Sequence, residues 1–188
     1  MRKLIVFNHV SLDGYFAGAN GDFSWARAGS DDPEYSGWVA ENSKGGGEML
    51  FGRVTYDMMA SYWPTPMADQ HSPVVAANMN SMAKVVFSRT LDQATWNNTR
   101  LLKGDLVSEV RTLKEESGPG MVIMGSGTIV AQLAQERLID EYQMVVDPVA
   151  LGKGRTMFDG IQEHLNLKLA KSRTFQNGKV FLSFEAAA

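Results

Sequence analysis

Apolar residues come in short blocks that alternate with stretches of helical spacing along the whole chain. Lys3-Leu-Ile-Val-Phe-Asn-His-Val10 is apolar at nearly every position, the pattern of a strand buried on both faces. Met49-Leu-Phe51, Val85-Val-Phe87, Met121-Val-Ile-Met124 and the segment from Tyr142 to Val149 read the same way. Between these blocks the period becomes helical. Asp32-Pro33 supplies an N-cap followed by proline at the first helical position, and Tyr35, Trp38, Val39 and Asn42 follow at helical spacing until Gly45-Gly46-Gly47 stops the pattern. Val54 and Met58 start a second helix. Leu106, Val110 and Leu113 mark one face of a third, which Gly118-Pro119 terminates, while Ile129, Val130 and Leu133 mark a fourth. The segments Leu167–Phe175 and Lys179–Phe184 flank Gln176-Asn177-Gly178, whose Asn-Gly is the strongest short hairpin signal. Strand–helix alternation closed by a hairpin predicts an α/β fold, with a mostly parallel central sheet covered by helices and an antiparallel C-terminal edge.

Composition narrows the function classes. The 188 residues include 18 Lys+Arg against 21 Asp+Glu, for a formal net charge of −3, and there is no cysteine. Disulfides, thiolate metal sites and a cysteine nucleophile are therefore excluded. The three histidines, His9, His71 and His164, are scattered, so no metal centre is expected. Mild acidity without a basic block argues against nucleic acid as a partner. No apolar run reaches the ~18 residues of a membrane span, and Met1-Arg2-Lys3 leads straight into a strand rather than a signal peptide. The expectation is one cytoplasmic domain over residues 1–188, without internal repeats, ending in an Ala186-Ala187-Ala188 tail that is either frayed or a remnant of cloning.

Chemistry in open parallel sheets collects at the carboxyl ends of the strands. Three junctions there carry special residues. Phe51-Gly52-Arg53-Val54-Thr55-Tyr56 runs from strand through glycine and arginine into a helix, offering close backbone approach, free N–H groups and a guanidinium fork for phosphate. Val86-Phe87-Ser88-Arg89-Thr90 ends a strand in hydroxyl, guanidinium and hydroxyl, a set suited to a phosphate monoester. Met124-Gly125-Ser126-Gly127-Thr128 opens a helix with small residues that can nest a pyrophosphate. It lacks both the three-glycine dinucleotide spacing and the lysine of a P-loop. Each junction alone reads equally as an ordinary turn; three in one sheet favour a phosphate-rich cofactor, and the arginines suit a 2′-phosphorylated dinucleotide. A fourth segment, Ser11-Leu12-Asp13-Gly14-Tyr15-Phe16-Ala17-Gly18, leaves the first strand at the same edge, and its Asp13 either caps a turn or faces a ligand. Trp25, Trp38, Tyr62 and Trp63 either stack on a flat heterocycle or pack in the core. Asp147-Pro148 and Gly152-Lys153-Gly154-Arg155 are either structural turns or a rim of the pocket.

In this order, Ser-Leu-Asp-Gly at 11–14, Gly-Arg-Val-Thr-Tyr at 52–56, Phe-Ser-Arg-Thr at 87–90 and Gly-Ser-Gly-Thr at 125–128 resemble the dihydrofolate reductase-like family. With Leu138-Ile-Asp-Glu141 and Pro148 to Phe158, the nearer likeness is to the branch holding the reductase domain of the bifunctional riboflavin-biosynthesis enzyme. The resemblance implies a three-layer α/β/α fold, a homodimer and an NADPH-dependent reductase acting on a small molecule. By that match Gly52, Arg53 and Thr55 would contact the cofactor's phosphates, Ser88 and Arg89 its 2′-phosphate, and Gly125, Ser126, Gly127 and Thr128 its pyrophosphate. Asp13 would border the nicotinamide and substrate and serve as the catalytic acid or orient a water.

The riboflavin reductase pattern has a lysine where this chain has Phe7 and a glutamate where it has Met124. Nor does any of Asp31, Asp32 and Glu34 map clearly onto the single acid that holds a pterin. The implied substrate is therefore less charged, flat and heterocyclic, with a C=N or C=O to reduce. A non-catalytic nucleotide- or small-molecule-binding scaffold of the same fold is the alternative.

Overall fold

The computed structural model describes residues 1–187, so Ala188 of the C-terminal alanine tail lies outside the described residues. The strands are β1 (Leu4–Ser11), β2 (Ala17–Gly18), β3 (Glu48–Gly52), β4 (Ala83–Phe87), β5 (Thr99–Leu102), β6 (Met121–Met124), β7 (Glu141–Asp147), β8 (Gly154–Arg155), β9 (Leu167–Thr174) and β10 (Val180–Ala186). The helices are α1 (Pro33–Ser43), α2 (Arg53–Tyr62), α3 (Pro66–His71), α4 (Pro73–Ser81), α5 (Leu106–Glu115) and α6 (Gly127–Gln135), with a short 3-10 turn at Ser24–Arg27.

Eight strands form one sheet in the order β5-β4-β3-β6-β1-β7-β10-β9. All neighbours from β5 to β7 pair in parallel, and β10 runs antiparallel to both β7 and β9. The hairpin turns through Gly178 at φ 84°, a left-handed conformation that glycine adopts without strain. The tail is not frayed at its start, because Ala186 closes β10 and the Ala187 N–H donates to the Asn166 carbonyl at 2.9 Å.

Alternation along each central strand builds the layers. On β1, Leu4, Val6 and Val10 join a core with Val110 and Leu113 of α5 and Ile129, Val130 and Leu133 of α6. On β3, Leu50 belongs to that core, whereas Met49 and Phe51 face the other way, towards Tyr56 of α2 and Met79 of α4. Phe7 of β1 and Val145 of β7 share that second face with Tyr35 and Trp38 of α1. This is the expected three-layer α/β/α arrangement, with α5 and α6 on one face and α1, α2 and α4 on the other.

Helix starts follow local chemistry. Asp32 caps α1 by accepting from the Tyr35 N–H at 2.8 Å, with Pro33 at the first helical position as expected. Asp105 caps α5 in the same way, accepting from the Ser108 N–H at 3.0 Å. The elements that go beyond the sequence reading are α3 and α4, which begin at Pro66 and Pro73, the four-residue β5, the two-residue strands β2 and β8, and the 3-10 turn.

Candidate active site

A parallel sheet brings the carboxyl ends of β1, β3, β4, β6 and β7 to one edge. There a cleft of about 1050 Å³ opens on the α1, α2 and α4 face. One end is built from glycine and hydroxyl groups. Gly52, Arg53 and Thr55 at the start of α2, and Gly125, Ser126, Gly127 and Thr128 at the start of α6, all line it. The rest is largely apolar, with Phe7 of β1, Val122 and Met124 of β6, Met58 and Met59 of α2 and Met79 of α4 among its walls.

The two helix starts are tied to each other. The Gly52 N–H donates to Ser126 Oγ at 2.7 Å, and the Ser126 N–H donates to Thr55 Oγ1 at 3.1 Å. The two hydroxyls meet at 3.0 Å, and the Gly125 N–H donates to Oδ1 of buried Asn8 at 2.7 Å. Ser126 itself sits at φ 56°, left-handed and unusual for a side-chain-bearing residue. Thr55 and Ser126 are both buried, so their hydroxyls hold the two junctions at a fixed distance.

Unlike α1 and α5, α2 and α6 begin without a capping side chain. Their first N–H groups therefore remain available beside the partial positive charge of a helix start. Packing also requires glycine at these positions: a Cβ on Gly127 would lie 2.7 Å from the Phe16 ring and 3.1 Å from the Thr156 carbonyl, and one on Gly52 would lie 3.0 Å from Ser126 Oγ. The open N–H groups at the two helix starts form a cradle that can receive an anionic group.

Three predicted residues, Ser88, Arg89 and Asp13, fall outside the cleft. Ser88 and Arg89 follow β4 at the same sheet edge but do not line it. Ser88 Oγ accepts from the N–H groups of Thr90 and Leu91, at 3.2 and 3.0 Å, and Arg89 is exposed. Asp13 requires a correction. Its carboxylate accepts from Ser11 Oγ at 2.6 Å and from the Leu151 and Gly152 N–H groups at 3.1 and 2.7 Å. These donors, Ser11 foremost, hold its carboxyl down at about 2. Asp13 is the turn-capping carboxylate of the two alternatives: it fastens the loop after β1 to the loop after β7, and it does not border the cleft.

Of the four aromatic candidates only Trp63 lines the cleft. Trp38 packs against Tyr35, Phe175 and Phe181, Trp25 against Phe23, and Tyr62 beneath the Arg27 guanidinium. Gly154 and Arg155 line the cleft, which is the rim alternative for that loop. Asp31, Asp32 and Glu34 do not; Asp32 is the α1 cap, and Glu34 pairs with Arg173 at 3.1 Å.

One constellation escaped the sequence reading. His9 lines the cleft, and its Nδ1 lies 2.8 Å from Oδ2 of Asp147, which is buried at the end of β7. The other Asp147 oxygen accepts from the buried ammonium of Lys179, which also donates to the Ala26 carbonyl at 3.1 Å. His9 Nε2 lies 3.1 Å from the hydroxyl of buried Tyr35. Burial and then the Asp147 charge push the Tyr35 phenol far above its ordinary range, so the hydroxyl keeps its proton. The partners of His9 are distant in sequence, with 138 residues separating it from Asp147, so no local motif could have signalled them.

A model of the RibD C-terminal domain matches residues 2–181. The Bacillus subtilis (strain 168) protein YyaP, described as uncharacterised, is 27% identical over 179 residues, covering 95% of this chain and 92% of its own length. A Shewanella sp. PV-4 protein, provisionally named a riboflavin biosynthesis protein, superposes with a TM-score of 0.77 at 24% identity over 99% of both chains. The Thermotoga maritima diaminohydroxyphosphoribosylaminopyrimidine deaminase/5-amino-6-(5-phosphoribosylamino)uracil reductase gives 0.67 at 14% identity, over 99% of this chain and 57% of that one. A pyrimidine reductase-like protein of Corynebacterium diphtheriae gives 0.64 at 12% identity, over all of this chain and 92% of its own.

Proposed function

The chain belongs to the RibD C-terminal domain family, with its dihydrofolate reductase-like fold, and on that footing we propose that it is an NADPH-dependent reductase of a small, weakly charged heterocycle. The observation that carries the reading is the cleft itself, with an anion cradle at one end and an apolar chamber at the other. The first N–H groups of α2 and α6 and the Arg53 guanidinium fit the diphosphate of a dinucleotide. Ser88 and Arg89, further along the same edge, fit its 2′-phosphate. Bound there, NADPH would supply a hydride, while the protein orients it and keeps water from the reacting carbon.

The chamber bears on the substrate. Phe7 and Met124, which replace the charged pair of the riboflavin pattern, are register partners on β1 and β6, and both line the cleft. The two changes form one apolar patch where a charged pair would otherwise sit. A phosphorylated sugar has no cationic partner on that patch, whereas a flat conjugated C=N or C=O compound can lie on it.

The test is NADPH binding followed by oxidation of NADPH against pterins, flavin precursors and quinones, read by the loss of its near-ultraviolet absorbance. Turnover of one compound class supports the reading. Tight binding without turnover of any of them would favour the scaffold alternative. Arg89→Ala should weaken NADPH binding by roughly tenfold and leave NADH almost unchanged. An exposed charge-assisted pair falls at the low end of the ~1.5–3 kcal/mol that a hydrogen bond to a charged group contributes. Equal losses for the two cofactors would remove Arg89 from the 2′-phosphate.

A further inference from the structure

We propose that His9 is the acid of the reaction, delivering a proton from Nε2 to the substrate nitrogen or oxygen as the adjacent carbon accepts hydride. This inference rests on the reductase reading above and names the proton source that reading lacks.

A reduced C=N or C=O needs one hydride at carbon and one proton at the heteroatom. Asp13, with its oxygens occupied and its place outside the cleft, does not provide that proton. The titratable or charged side chains that do line the cleft are His9, Arg53, Arg155 and Asp159. Guanidinium groups hold their protons throughout the physiological range. Asp159 is exposed in the turn after β8. His9 alone rises from the floor of the sheet, two positions along β1 from Phe7 and on the same face. Imidazole is also the side chain suited to gaining and losing a proton near neutrality.

Its surroundings fix which nitrogen acts. The charged and titratable groups against the ring are Asp147 of β7 and Tyr35 of α1, with Lys179, just before β10, behind Asp147, while Phe7 and Phe23 pack edge-on against the ring. Asp147 accepts the Nδ1 proton and so leaves Nε2 as the position that changes. Lys179 offsets the Asp147 charge, so the ring can release its proton without stranding a buried anion beside it. The Tyr35 hydroxyl at 3.1 Å holds Nε2 by a long hydrogen bond that a substrate heteroatom can replace.

In the step, NADPH held at the two helix starts would supply a hydride, whose electron pair forms the new C–H bond at the substrate carbon. The π electrons of C=N or C=O move to the heteroatom, which takes the proton from the His9 imidazolium. NADPH is oxidised to NADP⁺, the substrate is reduced by two electrons, and neutral His9 regains a proton from water. Asp147, Lys179 and Tyr35 act as positioning residues.

Two measurements test the proposal. Imidazole nitrogen NMR, with His71→Gln and His164→Gln for assignment, should show neutral His9 as the Nδ1–H tautomer. Single-turnover hydride transfer from NADPH to 6,7-dimethyl-7,8-dihydropterin and to 1,4-naphthoquinone should slow in the wild type as pH rises. His9→Gln should fold and bind NADPH as the wild type does, lose ~10²-fold or more in hydride transfer, and lose that pH dependence. Tyr35→Phe should keep the pH dependence. A wild-type rate and pH profile in His9→Gln, or neutral His9 found as the Nε2–H tautomer, would overturn the inference alone. NADPH binding without reduction of either probe by the wild type would overturn the reductase reading for both, and the inference with it.

Discussion

The three donors around Asp13 make it a fastening between loops whose strength depends on pH. Hydrogen bonds from Ser11, Leu151 and Gly152 stabilise the ionised carboxylate and lower its carboxyl from an ordinary 3.8 to about 2 in the folded protein. A carboxyl depressed by folding contributes stability that is fully present above its unfolded value and is lost as pH falls through its folded value. Asp13→Asn should therefore lower the unfolding midpoint at neutral pH, and its gap from wild type should close between about pH 4 and about pH 2. Thermal unfolding of the pair across that range checks it; a constant gap would mean that the charge of Asp13 is not what holds the loops. The same residue shows how far sequence reaches. An aspartate before glycine displays its capping option locally, but the choice was made by Leu151 and Gly152, which lie 138 and 139 residues away. His9 was illegible for the same reason: nothing near it in the chain resembles Asp147, Lys179 or Tyr35, which only the sheet brings together.

At the scale of elements, the starts of α2 and α6 behave as one joint. A Cβ on Gly125 would stand 2.7 Å from Thr55 Cγ2 and 2.9 Å from Thr55 Oγ1, at a φ of 67° that penalises any side chain. Gly125→Ala should cost ~1–3 kcal/mol of stability, measured by urea unfolding, as the joint opens. Neutral stability would show that β6 and α2 move apart freely. The long elements were legible because burial on both faces, helical period and caps such as Asp32-Pro33 are written in consecutive residues. The short ones were not. Pro66 and Pro73 do mark helix starts, after Thr65 and Ser72, but α3 spans only 6 residues, and the apolar residues Val74, Val75, Ala76 and Ala77 of α4 run consecutively rather than down one face. Four residues of β5 and the two-residue pair β2–β8 owe their strand character to their neighbours rather than to their own pattern.

For the molecule as a whole, the sheet separates what holds the fold from what the cleft can accept. Phe7 and Met124 are register partners on the cleft face, so charges returned to both positions would meet one another. Phe7→Lys alone and Met124→Glu alone should each destabilise the protein by leaving a partly buried charge unpaired. The double variant should recover part of the loss, with a coupling of ~0.5–3 kcal/mol in a thermal-unfolding cycle. Additive losses would mean that the two side chains do not meet. Positions 4, 6 and 10 of β1, by contrast, hold the α5–α6 layer and leave the cleft wall untouched. This alternation has an evolutionary consequence. A lineage can exchange residues 7, 122, 124 and 143 on one face while the opposite layer keeps the chain folded, so a new ligand can be accommodated without inventing a new scaffold. A combinatorial library restricted to those four positions should consequently yield mostly folded proteins that differ in what the cleft binds.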